Sequence, residues 1–113
     1  LDVIQQEEMQ QHALEVGNHL MDGLKALMAT YPIISDVRGH GLFIGAEMVK
    51  DRITMEPAVT EIDIVVEKMK EKGYLLSTDG PLHNVLKIKP PMTFNKQNAD
   101  EMVRLLAIAL SEL

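Results

Sequence analysis

The chain has 113 residues, enough for one compact domain and too few for two. Hydrophobic residues at 46% and charged residues at 25% put it among globular chains, and a 4% aromatic share leaves the core to Leu, Ile, Val, Ala and eight Met. A formal net charge of −6 without a basic cluster argues against nucleic acid as a partner, the lack of any apolar run near about 18 residues against a membrane-spanning helix, and zero Cys against disulfides and thiolate metal sites.

Over residues 2–31, Met9, Ala13, Val16, Leu20, Leu24, Leu27 and Tyr31 recur at steps of three and four, which predicts an amphipathic helix stopped by Pro32. Leu1-Asp2-Val3-Ile4 reads as the middle of a helix, so the helix is expected to have started further upstream. Gly17 and Gly23 each weaken a helix by roughly 1 kcal/mol against Ala, which predicts close packing at those positions. Residues 34–38 and 42–49 read as two strands around Gly39-His40-Gly41, with Leu42, Ile44, Ala46 and Met48 on one face and Phe43, Gly45, Glu47 and Val49 on the other.

A polar loop then leads to Pro57 as a first-turn residue, and Ile62, Val65, Val66 and Met69 mark a second helix over 58–72 with Gly73 as its C-cap. Residues 74–77 read as a third strand, Asp79-Gly80-Pro81 as a turn, and 85–89 as a fourth strand ended by Pro90-Pro91. Asn95 caps a last helix with the stripe Ala99, Met102, Val103, Leu106, Leu110 and Leu113. The order predicts an α+β domain: a small, mostly antiparallel sheet of about four strands with three helices on one face.

Few residues point to chemistry. Glycines 39, 41 and 45 are spaced one residue too long for a dinucleotide fingerprint and lead into a strand, so they are expected to permit a tight bend. His12 and His19 stand seven apart on the polar side of the first helix, too far for a helical metal pair, and His40 and His83 fall in loops. Ser35, Ser77 and Ser111 have no His-acid pattern beside them. Lys87 and Lys89 share one strand face, pinned by the prolines that follow, and could attract a carboxylate or phosphate.

Three motifs together carry a family resemblance over nearly the whole chain. Val37-Arg38-Gly39-x-Gly41-Leu42-Phe43-x-Gly45-x-Glu47 resembles the first hairpin of the C-terminal small domain of class III aminotransferases. Asn84-Val85-Leu86-Lys87-Ile88-Lys89-Pro90-Pro91-Met92 resembles their Asn-Val-x-Arg-x-x-Pro-Pro-Leu stretch, and Leu1-Asp2-Val3-Ile4 with Gly17-x-x-Leu20 resembles their linking helix. Leu75-Leu76-Ser77-Thr78-Asp79-Gly80-Pro81 followed by Asn84 to Met92 is most similar to the branch acting as phospho-lyases on phosphoethanolamine or phosphohydroxylysine.

The resemblance implies the small domain of a fold-type I pyridoxal-phosphate enzyme, with residues 1–31 as linking helix and 32–113 as the domain proper. It implies a homodimer, a large pyridoxal-phosphate-binding domain in the same chain as partner, a small anionic amine as substrate, and transamination or phosphate elimination as reaction. The cofactor Lys, its pyridinium-pairing acid and its phosphate loop match no segment here, so no cofactor is expected to bind this chain tightly. Lys87 stands where relatives use Arg for a substrate carboxylate, a point charge in place of a planar fork. Arg38 and His40 are implied to shape the substrate site or its entrance. A cytoplasmic or mitochondrial setting is expected, without secretion, since no secretory signal is visible. The contrasting expectation is a free-standing binding or interaction module without catalysis.

Overall fold

The computed structural model describes residues 3–113, so the reading of Leu1 and Asp2 as helix lies outside the described residues. The elements are α1 (Val3–Thr30), β1 (Ile34–His40), β2 (Phe43–Asp51), β3 (Glu56–Pro57), α2 (Val59–Glu71), β4 (Ser77–Asp79), β5 (Val85–Ile88) and α3 (Lys96–Ser111). The sheet runs β1-β2-β5-β4, every pairing is antiparallel, and β3 joins β2 off that path. This is the α+β layer that the order of apolar periods predicts.

One sheet face is the core. Ile34, Val37, Ile44, Ala46, Met48, Leu86 and Ile88 pack with Val16, Leu20, Leu24 and Leu27 of α1, Ile62, Val65 and Met69 of α2, and Met102, Leu106 and Leu110 of α3. The buried part of α1 runs only from Val16 to Leu27, while Val3, Ile4, Met9 and Leu14 are exposed. A 28-residue helix is about 42 Å long, and its exposed first turns extend beyond the residues that pack on the core.

The two glycines of α1 are packing positions, as their propensity cost suggests. At Gly17 a Cβ would overlap the carbonyl oxygen of Gly41 and lie 2.5 Å from its carbonyl carbon; at Gly23 it would lie 2.8 Å from Val103 Cγ2. His40 pairs with Phe43 across a two-residue turn, and Gly41, with φ +56, takes the first turn position, where such hairpins favour glycine. Gly73, at φ +92, ends α2: its N–H donates to Lys70 O at 3.0 Å and that of Tyr74 to Met69 O at 2.9 Å, the paired bonds of a Schellman motif. Asn95 and Asn98 cap α3 reciprocally, each side-chain oxygen accepting from the other's backbone N–H at 2.8 and 3.1 Å.

Five local expectations shift. Pairing in the third strand starts at Ser77 rather than 74 and runs to Asp79, with Ser77, Thr78 and Asp79 opposite Lys87, Leu86 and Val85. Pro57 lies in β3, paired with Val49, and not in the first turn of α2; at a sheet edge its missing donor costs nothing. Val49 is fully buried on the heels of Met48, because the β2–β3 ladder shifts register there and breaks the alternation. Leu113, assigned to the α3 stripe, lies past the helix end and is exposed. His40, read as a loop residue, closes β1.

Candidate functional site

The face of the sheet opposite the core is covered by no helix among the described residues, and its residues fall in rows across the strands. Asp36, Glu47, Val85 and Asp79 are successive Cα partners, and so are Arg38, Gly45, Lys87 and Ser77. His40 and Phe43 form the next row, beside Lys89, which follows Lys87 by two residues and points the same way. Acids thus stand at one end of the face and bases at the other, with rows about 7 Å apart.

Lys87 and Lys89 converge, as their shared face predicts. Their ammonium nitrogens lie 5.5 and 5.9 Å from the centroid of the Phe43 ring, which is 51% exposed. Neither lysine belongs to any of the ion pairs among the described residues, which involve His19, Arg38 and Lys68. Arg38 differs in kind. Its guanidinium donates to Asp36 at 2.8 Å and Glu47 at 3.3 Å, and is held above its already high ordinary pKa, chiefly by the Asp36 hydrogen bond.

Two troughs meet at Phe43. One of about 200 Å³ is lined by Arg38, Phe43, Gly45, Asp79, Val85 and Lys87; the other, about 440 Å³, by His40, Phe43, Lys89, Pro90, Pro91 and Met92. Gly45 leaves the floor between Arg38 and Lys87 without a side chain, and a Cβ there would press on Val85 Cγ1 at 3.1 Å. The three residues singled out from the sequence, Lys87, Arg38 and His40, therefore border one continuous surface. A larger cleft of about 570 Å³ opens where the chain at 72–76 parts from Pro90 and Pro91, over Asn98, Glu101 and Met102. The Tyr74 phenol on its wall is pushed above its ordinary range by burial first and by Glu101 second.

Three supports of this face escape a reading of sequence pattern. Asn84, 4% exposed, donates from Nδ2 to Met48 O at 3.0 Å while its own carbonyl accepts from the Met48 N–H at 2.8 Å, locking the start of β5 to β2. Arg52 donates to Met28 O at 2.6 Å, Pro32 O at 2.9 Å and Ile34 O at 2.8 Å, tying the end of α1 to the start of β1. His12 and His19, read as lying on the polar side of the first helix, bond to distant parts of the chain: His12 Nε2 with Phe94 O at 2.8 Å and His19 Nε2 with Asp100 Oδ1 of α3 at 2.7 Å. An asparagine between a turn and a strand is a signal for the first; the others act over long sequence separations that no local pattern marks.

These residues do not fit a pyridoxal phosphate seat. Lys87 and Lys89 lie on an open face against a phenyl ring, and two of its carboxylates are tied to Arg38 rather than poised beside a pyridinium nitrogen. The N-terminus of α3 is closed by its own Asn95–Asn98 box, which removes it as a phosphate cup.

Comparison with known proteins follows the same line. The chain is 45% identical over 102 residues to an alanine–glyoxylate aminotransferase 2-like protein of Drosophila melanogaster, covering 89% of this chain and 21% of that one. It is 40% identical over 107 residues to ethanolamine-phosphate phospho-lyase homolog 1 of Caenorhabditis elegans, covering 94% and 23%. Among solved structures, an Arthrobacter phospholyase in complex with phosphoethanolamine superposes with a TM-score of 0.89 at 32% identity, over 97% of this chain and 26% of that chain. An amine transaminase from an uncultivated Pseudomonas species, in its PLP-bound form, gives 0.83 at 28% identity, over 98% and 25%. The chain thus spans about a quarter of the length of the proteins it matches. With the aminotransferase class-III profile matching residues 1–110, the chain belongs to that pyridoxal-phosphate-dependent family.

Proposed function

We propose that this chain is the C-terminal small domain of a pyridoxal-phosphate enzyme, supplying the substrate side of the active site and a packing surface while the large domain of the same chain holds the cofactor. Residues 1–31 are the linking helix and 32–113 the domain proper. The whole enzyme is a homodimer acting on a small anionic amine, by transamination or by elimination of phosphate from a phosphorylated amine. Relatives named for each activity, an aminotransferase and a phospho-lyase, support both. It works in the cytoplasm or in mitochondria and is not secreted; a 39%-identical Arabidopsis thaliana relative carries a mitochondrial name.

The observation that carries this reading is the Lys87 ammonium: half-buried on an open sheet face, without an ion-pair partner, at the position of the resembling motif's arginine. Lys87 takes the anionic end of the substrate. Arg38 fixes Asp36 and Glu47 away from that charge, and His40 borders the entrance with Phe43 and Lys89.

The test is Lys87→Ala in the full-length enzyme. Losing a charge-assisted hydrogen bond should raise KM for the anionic amine about tenfold, or about 1.4 kcal/mol, with little change in affinity for pyridoxal phosphate. Unchanged substrate kinetics would remove Lys87 from the site.

A further inference from the structure

We infer that Lys89 is a second anion ligand beside Lys87, and that Phe43 is the residue positioning both ammonium groups. This deepens the assignment of Lys87 and rests on it. A lysine on a solvated sheet face ordinarily swings free, since its four-carbon stem has many rotamers and its charge is well hydrated. Two lysines on one face ordinarily swing apart, because like charges repel. Here both nitrogens are instead gathered within 6 Å of one phenyl centroid.

Nothing acidic accounts for the convergence. Asp36 and Glu47 are bonded to Arg38, and Asp79, which lines the same trough as Lys87, makes no ion pair with it. What remains is the ring itself, whose negative face attracts cations at this range. Phe43 is half-exposed and stands outside the buried core, so core packing does not account for it. Its place directly after the hairpin turn, facing His40 across the ladder, holds the ring where the two troughs join.

Two ammonium groups on one pivot suit an oxyanion with oxygens to spare for two donors, a phosphate ester or a carboxylate. The ring biases the lysine rotamers before the anion arrives, so less side-chain freedom is lost on binding. Phe43 acts through the lysines and touches no reacting atom, which makes it a positioning residue.

The experiment uses the full-length enzyme, with KM and kcat for its amine substrate and competitive Ki values for inorganic phosphate and for acetate, in the wild type, Lys87→Ala, Lys89→Met, Phe43→Leu and Phe43→Trp. Lys89→Met should raise KM and the phosphate Ki about tenfold, and Phe43→Leu about fivefold, with kcat unchanged. Phe43→Trp, which keeps a cation-binding ring, should hold wild-type values even if the leucine variant folds poorly. In a Lys87→Met/Lys89→Met background, Phe43→Leu should add nothing. A larger loss for phosphate than for acetate assigns the seat to phosphate esters, and the reverse assigns it to carboxylates. Wild-type KM and Ki in Lys89→Met and Phe43→Leu, with Lys87→Ala impaired, overturn this inference and leave the Lys87 assignment standing. Wild-type values in all of them overturn both. Equal loss in Phe43→Leu and Phe43→Trp makes the ring a packing element and overturns its positioning role.

Discussion

Replacing Gly17 with alanine sets two effects of known sign against each other. By helix propensity alone the change stabilises α1 by about 1 kcal/mol. The added methyl, however, would overlap the Gly41 carbonyl oxygen and stand 2.5 Å from its carbonyl carbon and 3.1 Å from its Cα, all of them backbone atoms. Carbon atoms rest about 3.5–4.0 Å apart, so helix and hairpin must separate by about 1 Å. A gap of that size forfeits roughly a quarter to a half of the dispersion well at each contact it opens. Val16 and Leu20, both buried, flank the site. Overpacking with displacement of this kind typically costs about 3 kcal/mol, which leaves a net loss of about 2 kcal/mol after the propensity gain. For a chain of 113 residues that is a fall in Tm of about 8 °C, read by circular dichroism at about 222 nm and checked by urea unfolding. The matching change at Gly23 meets the end of a side chain, Val103, so Gly23→Ala should cost less and be relieved by Val103→Ala. A Gly17→Ala chain as stable as the wild type, or more so, would refute the backbone contact.

Other consequences can be checked on the same chain. Arg52→Ala removes three bonds to the carbonyls of Met28, Pro32 and Ile34 and should lower stability by about 1–2 kcal/mol in urea; Arg52→Lys should restore little, since an ammonium cannot fork to three acceptors around a bend. Asn84→Ala leaves the Met48 carbonyl with the Ala58 N–H as its one remaining backbone donor and should cost about 2 kcal/mol by the same measurement, with Asn84→Asp no better because a carboxylate cannot donate. Tyr74 ties stability to alkaline pH: its pKa is raised on folding, so the folded state favours the neutral phenol. The resulting stability is full below the ordinary phenol pKa of about 10 and is lost as pH rises through the folded value. Tyr74→Phe should flatten that loss in a pH series of urea midpoints, and an unchanged slope would count against the burial of the phenol.

What could be read from the sequence was whatever has a short period. The stripe of α2, that of α3 as far as Leu110, the inward alternation from Leu42 to Met48, the Gly73 and Asn95 caps and the shared direction of Lys87 and Lys89 all repeat within a few residues, and each stands in the structure as expected. The family resemblance, resting on the hairpin, the Pro-Pro motif and the linking helix together, agrees with the family match over residues 1–110. What escaped depends on partners far along the chain. Residues 74–76 have the composition of a strand, yet pairing with β5 begins only at Ser77. Arg52 looked like one more charge in a polar loop, yet its three acceptors lie 18 to 24 residues away. Alternation puts Phe43 on the strand face opposite Ile44, but the approach of two ammonium groups to its ring depends on the β2–β5 register.

The segregation of charge on the open face has a bearing on orientation. Asp36, Glu47 and Asp79 lie in one row, and Lys87 and Lys89 in the next two. With Arg38 counted, the positive and negative groups on this face nearly cancel, so from a distance it presents little net charge. Close to, it acts as a fixed dipole pointing along the strands, and a dipole exerts torque where a bare charge only attracts. A small molecule with an ammonium at one end and an oxyanion at the other meets a preferred heading here before it makes any contact. Because opposed rows cancel faster with distance than a single charge does, that guidance ends within a few strand spacings, and added salt shortens it further.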